Sequence, residues 1–307
     1  MKNYTHSFTL FLAYSLLFLA CTQNEEEKKK ETIREGKMRI AFDESLKNVI
    51  EEQITAYKIR YPKAEISTLV LPEQQAVNLM LQDSVDAVAI TRELTANEQA
   101  YFTNRQKRYE PATMALDAVL VIGNISGDVR ELSLDELKKL FEENSPTKLF
   151  FDNSNSSNLN FIKERLEIKE IKNQKVYGSK GTEDLLENIK KNKDAIGFLG
   201  YNWISEENET SRKIKSSIRI IPISSQKGQE AIEPNVSNLK SRKYPLERLI
   251  YLHTTDNRWG VPMGFIRFSC SQIGQLVVEK MGLIPYYIIP KQIVVEKKPL
   301  VPVNSKK

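Results

Sequence analysis

A chain of 307 residues, 40% hydrophobic and 28% charged, carries enough apolar residues for a real core and is long enough to divide into two lobes. Its 45 Lys and Arg are interspersed with 40 Asp and Glu rather than gathered in a basic stripe, which argues against a nucleic-acid surface. With 2 His and 2 Cys, Cys21 and Cys270, neither a Cys/His zinc cluster nor a disulfide framework can be built.

The first segment reads as an export signal. Lys2 is the only charge in the first twenty residues, and Phe8 to Ala20 is an apolar stretch too short for a spanning helix of about 20 residues. Leu17-Phe18-Leu19-Ala20-Cys21 resembles the lipobox of bacterial lipoproteins, with Phe18 where Leu is usual. The resemblance implies a signal peptide over 1–20, lipidation of Cys21 as the mature first residue, and attachment to a membrane through acyl chains alone. Residues 21–37 are too charged to fold by themselves and read as a tether. Their acidic start resembles the surface-export signals of some Bacteroidetes lipoproteins.

From Met38 the pattern alternates strand and helix. Met38 to Phe42 reads as a strand, and Leu46, Val49, Ile50, Ile54, Tyr57 and Tyr61 then recur at helical spacing until Pro62. Ile66 to Val70 is a second strand, and a short helix over Glu73 to Gln82 leads to Asp86 to Ile90, apolar enough for a parallel strand covered on both faces. Thr95 and Glu98 have the spacing of a capping box, predicting a helix to about Lys107. Thr91 and Arg92 therefore fall at a strand's carboxyl end, where open α/β sheets place ligands.

Pro111 to Asn124 is a nearly continuous apolar run broken by one carboxylate, Asp117. It reads as a strand crossing from one α/β lobe to another, with a second crossing near Ser217 to Ser224. Asp117 either holds the hinge backbone or faces the cleft between lobes. Ser133 and Glu136 open a further capped helix, and Leu149 to Phe151 is a strand. The seven small polar residues Asp152 to Asn158 follow, before Leu159, Phe161, Ile162 and Leu166 take up helical spacing. Such a loop offers hydroxyls, amides and free N–H groups to an anion, and N-capping alone does not require seven such residues.

Val176 to Thr182 is a turn into a helix that lacks the Gly-Lys-Ser/Thr end of a P-loop, and Ala195 to Tyr201 is a Gly-spaced strand. Gln226 to Lys243 reads as a surface loop, Leu249 to Leu252 as a strand and Phe265 to Lys280 as one helix. The tail after Pro290 is basic and Pro-containing. Cys270 reads as a small buried apolar group.

From about Met38 to Tyr287 the order of landmarks resembles the phosphate-binding substrate-binding proteins of ABC importers. It is carried by Asp86 through Glu98, Ala115-Leu116-Asp117-Ala118, Leu132 to Leu137 with Phe141, Ala195 to Phe198, Tyr244-Pro245-Leu246 with Arg248, and Phe265 with Gly274-Gln275. The resemblance implies an α/β, two-lobed type II periplasmic-binding-protein fold with two hinge crossings. Residues 38–116 and 224–290 would form one lobe, 117–223 the other, and 291–307 a flexible tail. Together with the lipobox and the composition, it implies a lipid-anchored, non-catalytic protein of the cell envelope that captures a small oxyanion, phosphate first, for an ABC permease, with no cofactor, metal or nucleic acid. Asp43-Glu44-Ser45 stands where that family has Gly-Ser and a Ser or Thr. Asp152 and Asn155-Ser156-Ser157 stand where it has Arg followed by Ser-Gly-Thr.

The predicted site accordingly joins Asp43, Glu44, Ser45, Thr91 and Arg92 on one lobe to Asp152, Asn153, Asn155, Ser156, Ser157 and Asn158 on the other, with Asp117 at the hinge. Arg92 is the cleft-edge cation, serving either as an anion contact or as a structural bridge to Asp43, Glu44 or Glu93. The altered loops leave a second reading, a surface lipoprotein of the same fold that binds another solute or a protein. A hydrolase is disfavoured, because the chain has no Gly-x-Ser-x-Gly elbow and no His-Glu-x-x-His motif, and only His253 lies in the folded body.

Overall fold

The computed structural model describes residues 31–256 and 258–287. The signal segment, Cys21, most of the tether and the tail lie outside these residues. The chain is mixed α/β. Strand β1 (Glu35–Phe42) begins inside the segment read as tether, because Glu35 to Lys37 already pair with the next strand. A single 3-10 turn, Glu44–Leu46, leads into α1 (Lys47–Arg60). The helix stops at Tyr61, which leaves the helical region with a ψ of 76°, as proline at the next position disfavours helical backbone there. Then follow β2 (Lys63–Val70), α2 (Glu73–Leu81), β3 (Ala87–Ile90) and α3 (Ala96–Asn104). Thr95 and Glu98 form the expected capping box, but α3 ends at Asn104, with Arg105 as its cap before Gln106 turns to a positive φ of 52°.

Strand β4 (Ala112–Asn124) is followed by β5 (Leu132–Ser133), α4 (Leu134–Glu142), β6 (Leu149–Phe151), α5 (Ser157–Arg165), β7 (Val176–Gly178), α6 (Thr182–Lys191) and β8 (Ile196–Gly200). A 3-10 turn, Tyr201–Trp203, and α7 (Glu209–Ser217) lead to β9 (Ile218–Ile221) and β10 (Ile223–Ser224). The stretch read as a surface loop contains a short helix, α8 (Val236–Lys240), that buries Leu239. The chain closes with β11 (Glu247–Thr254), α9 (Val261–Cys270), α10 (Gln272–Lys280) and β12 (Ile284–Pro285). The helix read over Phe265 to Lys280 is thus two helices. They break at Ser271, which is extended, and a Cβ at Gly274 would stand 2.3 Å from the Phe268 carbonyl oxygen, so the two turn tightly about each other.

Strand β4 organises the sheet. Over Ala112 to Ala118 it pairs antiparallel with β11, with β12 on its other edge; over Val119 to Asn124 it pairs with β8 and β9. The order β2-β1-β3-β11-β4-β8-β6-β7 therefore describes two half-sheets sharing one strand. In the first half, β1 runs parallel to β2 and β3; in the second, β6 runs parallel to β7 and β8. Parallel strands need cover on both faces. Helices α1, α9 and α10 supply one cover of the first half, where Tyr57 meets Phe265 and Phe268 edge-on at 5.7 and 5.3 Å. Ala76, Val77 and Met80 of α2 and Phe102 of α3 pack on the opposite face against Ala41, Val88 and Ile90.

Candidate functional site

Both half-sheets deliver an aspartate from the carboxyl end of a parallel strand to one place. Strand β1 ends at Phe42, and Asp43 caps the 3-10 turn by accepting the Ser45 N–H at 3.0 Å. Strand β6 ends at Phe151, and Asp152 opens the polar loop that Ser156 closes as N-cap of α5, its Oγ accepting the Asn158 N–H at 3.1 Å. Strands β4 and β11 supply the rest, because their register sets Arg248 opposite Asp117.

Arg248 is 4% exposed and Asp117 is fully buried. A guanidinium there needs all its N–H groups satisfied. Nε and Nη2 donate to Asp117 Oδ2 at 3.0 and 2.9 Å, Nη1 to Asn158 Oδ1 at 2.8 Å, and Nη2 to Ser45 Oγ at 3.2 Å. The other Asp117 oxygen accepts the Asn202 N–H at 3.3 Å, and the Asn202 amide donates to the Ser45 carbonyl. Burial pushes the Asp117 carboxyl upward, and the Arg248 charge opposes it.

The serines tie the halves together in one direction. Ser157 gives its single proton to Asp43 Oδ1 at 2.8 Å, so in the 2.9 Å contact between Ser45 Oγ and Ser157 Oγ the donor is Ser45. Ser45 in turn accepts from Arg248. A polarised chain thus runs Arg248, Ser45, Ser157, Asp43. Asp152 Oδ1 accepts from Ser156 Oγ and from the Asn153 N–H at 3.2 Å. The Oδ2 atoms of Asp43 and Asp152 and the Oδ1 of Asn202 are buried with no partner among the described residues. Burial, and then the charge of Asp43, push the Asp152 carboxyl up to about 7.

Seven of the residues singled out from the sequence thus meet: Asp43, Ser45, Asp117, Asp152, Ser156, Ser157 and Asn158, all buried. Glu44 is half-buried beside Gly181. Asn153 turns its Oδ1 to the Asn155 N–H at 2.9 Å, and Asn155 is exposed, so these two shape the loop and stand outside the junction.

Thr91 and Arg92 belong to a separate network. Thr91 donates its N–H and hydroxyl to Glu73 Oε2 at 3.0 and 2.9 Å. Arg92 spends its five donors on Glu73 Oε1, the Glu93 carbonyl, both Glu98 oxygens and Gln74 Oε1, at 2.7 to 3.1 Å. Burial raises the Glu98 carboxyl, but hydrogen bonds from Arg92, Gln74 and the Thr95 N–H outweigh it and bring it down to about 2. Arg92 is a structural bridge, and its partners are Glu73 and Glu98 rather than Asp43 or Glu44. His253 stacks on Tyr109 and is pushed down to about 4 by burial, hence neutral.

Sequence reasoning missed Arg248 and Asn202 as members of the site. A weak signal for the first existed: Arg248 follows Glu247 at the start of an otherwise apolar strand, Leu249 to Leu252, and a buried Asp117 requires an opposite charge from some other strand. Beside the junction a cavity of about 580 Å³ opens between the halves, with Thr91, Arg92, Phe161, Arg165, Arg248 and Tyr251 in its wall.

A profile described as the PBP superfamily domain matches residues 26–272. The phosphate-binding protein PstS of Staphylococcus haemolyticus is 24% identical to the chain over 302 residues, covering 90% of each. A candidate phosphate ABC transporter substrate-binding protein from Clostridium perfringens, solved with bound phosphate, superposes with a TM-score of 0.67 over 82% of this chain and 100% of that one, at 16% identity. An ABC-type phosphate transport receptor from Vibrio cholerae gives 0.62 over 81% and 100%, at 15% identity. At those identities the two structures share the fold with this chain.

Proposed function

Because the chain belongs to the PBP superfamily, we propose that it is the solute-binding component of an ABC importer and captures a small oxyanion, phosphate first, between two lobes. Residues 38–116 with 224–290 form one lobe in this reading, 117–223 the other, and β4 and the return through β9 and β10 are the hinge about which they close. The role is capture and delivery to a permease in the cell envelope, not catalysis. Cys21 carries the acyl chains that hold the protein at the membrane.

The observation that carries this reading is the convergence at one point of polar groups from both halves, the buried Arg248, Ser45 after β1, and Ser156, Ser157 and Asn158 at the N-terminus of α5, whose protons are engaged within the junction and would be handed over to an entering anion. A helix N-terminus with hydroxyls and a guanidinium is chemistry suited to a tetrahedral oxyanion. Titration calorimetry of the mature chain, with Cys21→Ser for solubility, tests it. Saturable heat with phosphate and none with a neutral sugar supports the reading, and no heat with phosphate or sulfate overturns it.

One observation favours a second reading. Three buried carboxylates, Asp43, Asp117 and Asp152, stand against one buried arginine. Each uncompensated carboxylate about 4 Å from an anionic charge costs on the order of 4 kcal/mol at an effective dielectric near 20. A surface lipoprotein of this fold that binds a cationic or neutral solute, or a protein, would not meet that cost. Heat with a cationic metabolite but not with phosphate would select it.

A further inference from the structure

Asp43 and Asp152 reach the junction from opposite half-sheets, and both are fully or almost fully buried, at 0% and 1% exposure. Each spends Oδ1 on a serine hydroxyl and a backbone N–H and keeps an Oδ2 with no donor among the described residues. The charged and titratable groups facing the pair are few. Glu44 lies on the same loop as Asp43, with its Oε1 3.7 Å from where a Cβ on Gly181 would stand. Arg248 comes from β11, and Asp117 of β4 stands behind it and takes two of its N–H groups. Among the described residues Arg248 is the one positive charge in the junction; two of its N–H groups go to Asp117, and its charge only partly offsets the burial and the Asp43 charge that push the Asp152 carboxyl up.

Resting on the phosphate reading of this site, we propose that the Asp43–Asp152 pair couples oxyanion capture to the uptake of one proton, held on Asp152 and offered to the orphaned carboxylate oxygen or to the anion. A proton on Asp152 Oδ2 turns a buried acceptor without a donor into a donor, and removes one of two like charges from the place an anion must enter. Without that proton a nearby carboxylate costs an anion roughly a thousandfold in affinity. Burial and the Asp43 charge put the Asp152 carboxyl at about 7, so the proton is present without uptake below neutrality and must be acquired above it. An entering anion raises that value further, which fixes the sign: affinity falls as pH rises past neutrality.

The test is phosphate titration calorimetry of the mature chain and of Asp152→Asn at pH 5.5, 7 and 8.5. Phosphate's own ionisation enters both titrations equally, so the ratio of the two dissociation constants isolates the protein's proton. The ratio of wild type to variant should rise about 30-fold between pH 5.5 and 8.5. At pH 8.5, heats in two buffers of different ionisation enthalpy should show one more proton taken up by the wild type. If Asp152→Asn does not fold, Asp152→Ser carries the same expectation, since it removes the same titrating carboxyl. A ratio that stays flat while both proteins bind overturns the coupling alone. Absence of binding by both at every pH overturns the phosphate reading, and the coupling falls with it.

Discussion

Replacing Arg248 by Ala removes the one cation from a junction that holds Asp117 fully buried. Asp117 loses two hydrogen bonds to the guanidinium and keeps the Asn202 N–H at 3.3 Å, while Asn158 Oδ1 loses its 2.8 Å donor and Ser45 its 3.2 Å donor. Breaking a buried ion pair from one side costs about 3 to 5 kcal/mol, because the remaining charge is left without compensation. For a domain of this size that is a fall in Tm of roughly 6 to 20 °C. The deficit should depend on pH with a definite sign. Burial already raises the Asp117 carboxyl, and losing Arg248 raises it further. A carboxyl raised on folding favours the native state at low pH, and that advantage is lost as pH rises through its folded value, so the deficit shrinks on acidification. Urea denaturation of Arg248→Ala, Asp117→Asn and the double variant measures the coupling directly. The double variant should be less destabilised than the sum of the singles by at least about 2 kcal/mol. Additivity to within about 0.5 kcal/mol would refute the assignment of the pair as the core of the junction.

Arg92→Ala should lower stability by about 1.5 to 3 kcal/mol and leave the phosphate dissociation constant unchanged, since its five donors go to Glu73, Gln74, Glu93 and Glu98. A Glu98 carboxyl held at about 2 contributes stability above its ordinary value that fades as pH falls toward 2, so the wild-type and variant melting curves should converge in acid. Asp152→Asn should raise stability above neutral pH, by at most about 4 kcal/mol, because a carboxyl lifted to about 7 favours folding in acid and opposes it once ionised; a variant less stable than wild type at pH 8.5 refutes this. Cys21→Ala should move the protein from the detergent phase to the aqueous phase in a partitioning assay, because two acyl chains anchor durably and none anchors at all.

What could be read from the sequence was local. The run from β1 to β3 shows in its periodicities because burial of a helix stripe or a strand face is decided by neighbours within two turns or a few residues. The capping boxes at Thr95 with Glu98 and at Ser133 with Glu136 are equally local, as their hydrogen bonds span three residues. The polar loop from Asp152 to Asn158 announced itself by composition, and Asp117 by being the one charge in an apolar run.

The use each residue is put to was decided elsewhere. Arg248 finds Asp117 across 131 positions of chain through the register of β11 on β4, and no local pattern encodes a register between distant strands. Arg92 stands at a strand's carboxyl end as the pattern requires, yet α2 packs so that Glu73 reaches it and ties up its Nε. Asp43 and Ser157, 114 positions apart, share a hydrogen bond only because β1 and β6 end at the same junction. Residue type and spacing determined by themselves that this chain would alternate strand and helix around a charged crossing strand. Which charges would neutralise one another, and so which remain to meet a ligand, was determined by tertiary packing alone, because a buried charge is governed by whatever partner the fold brings within about 4 Å.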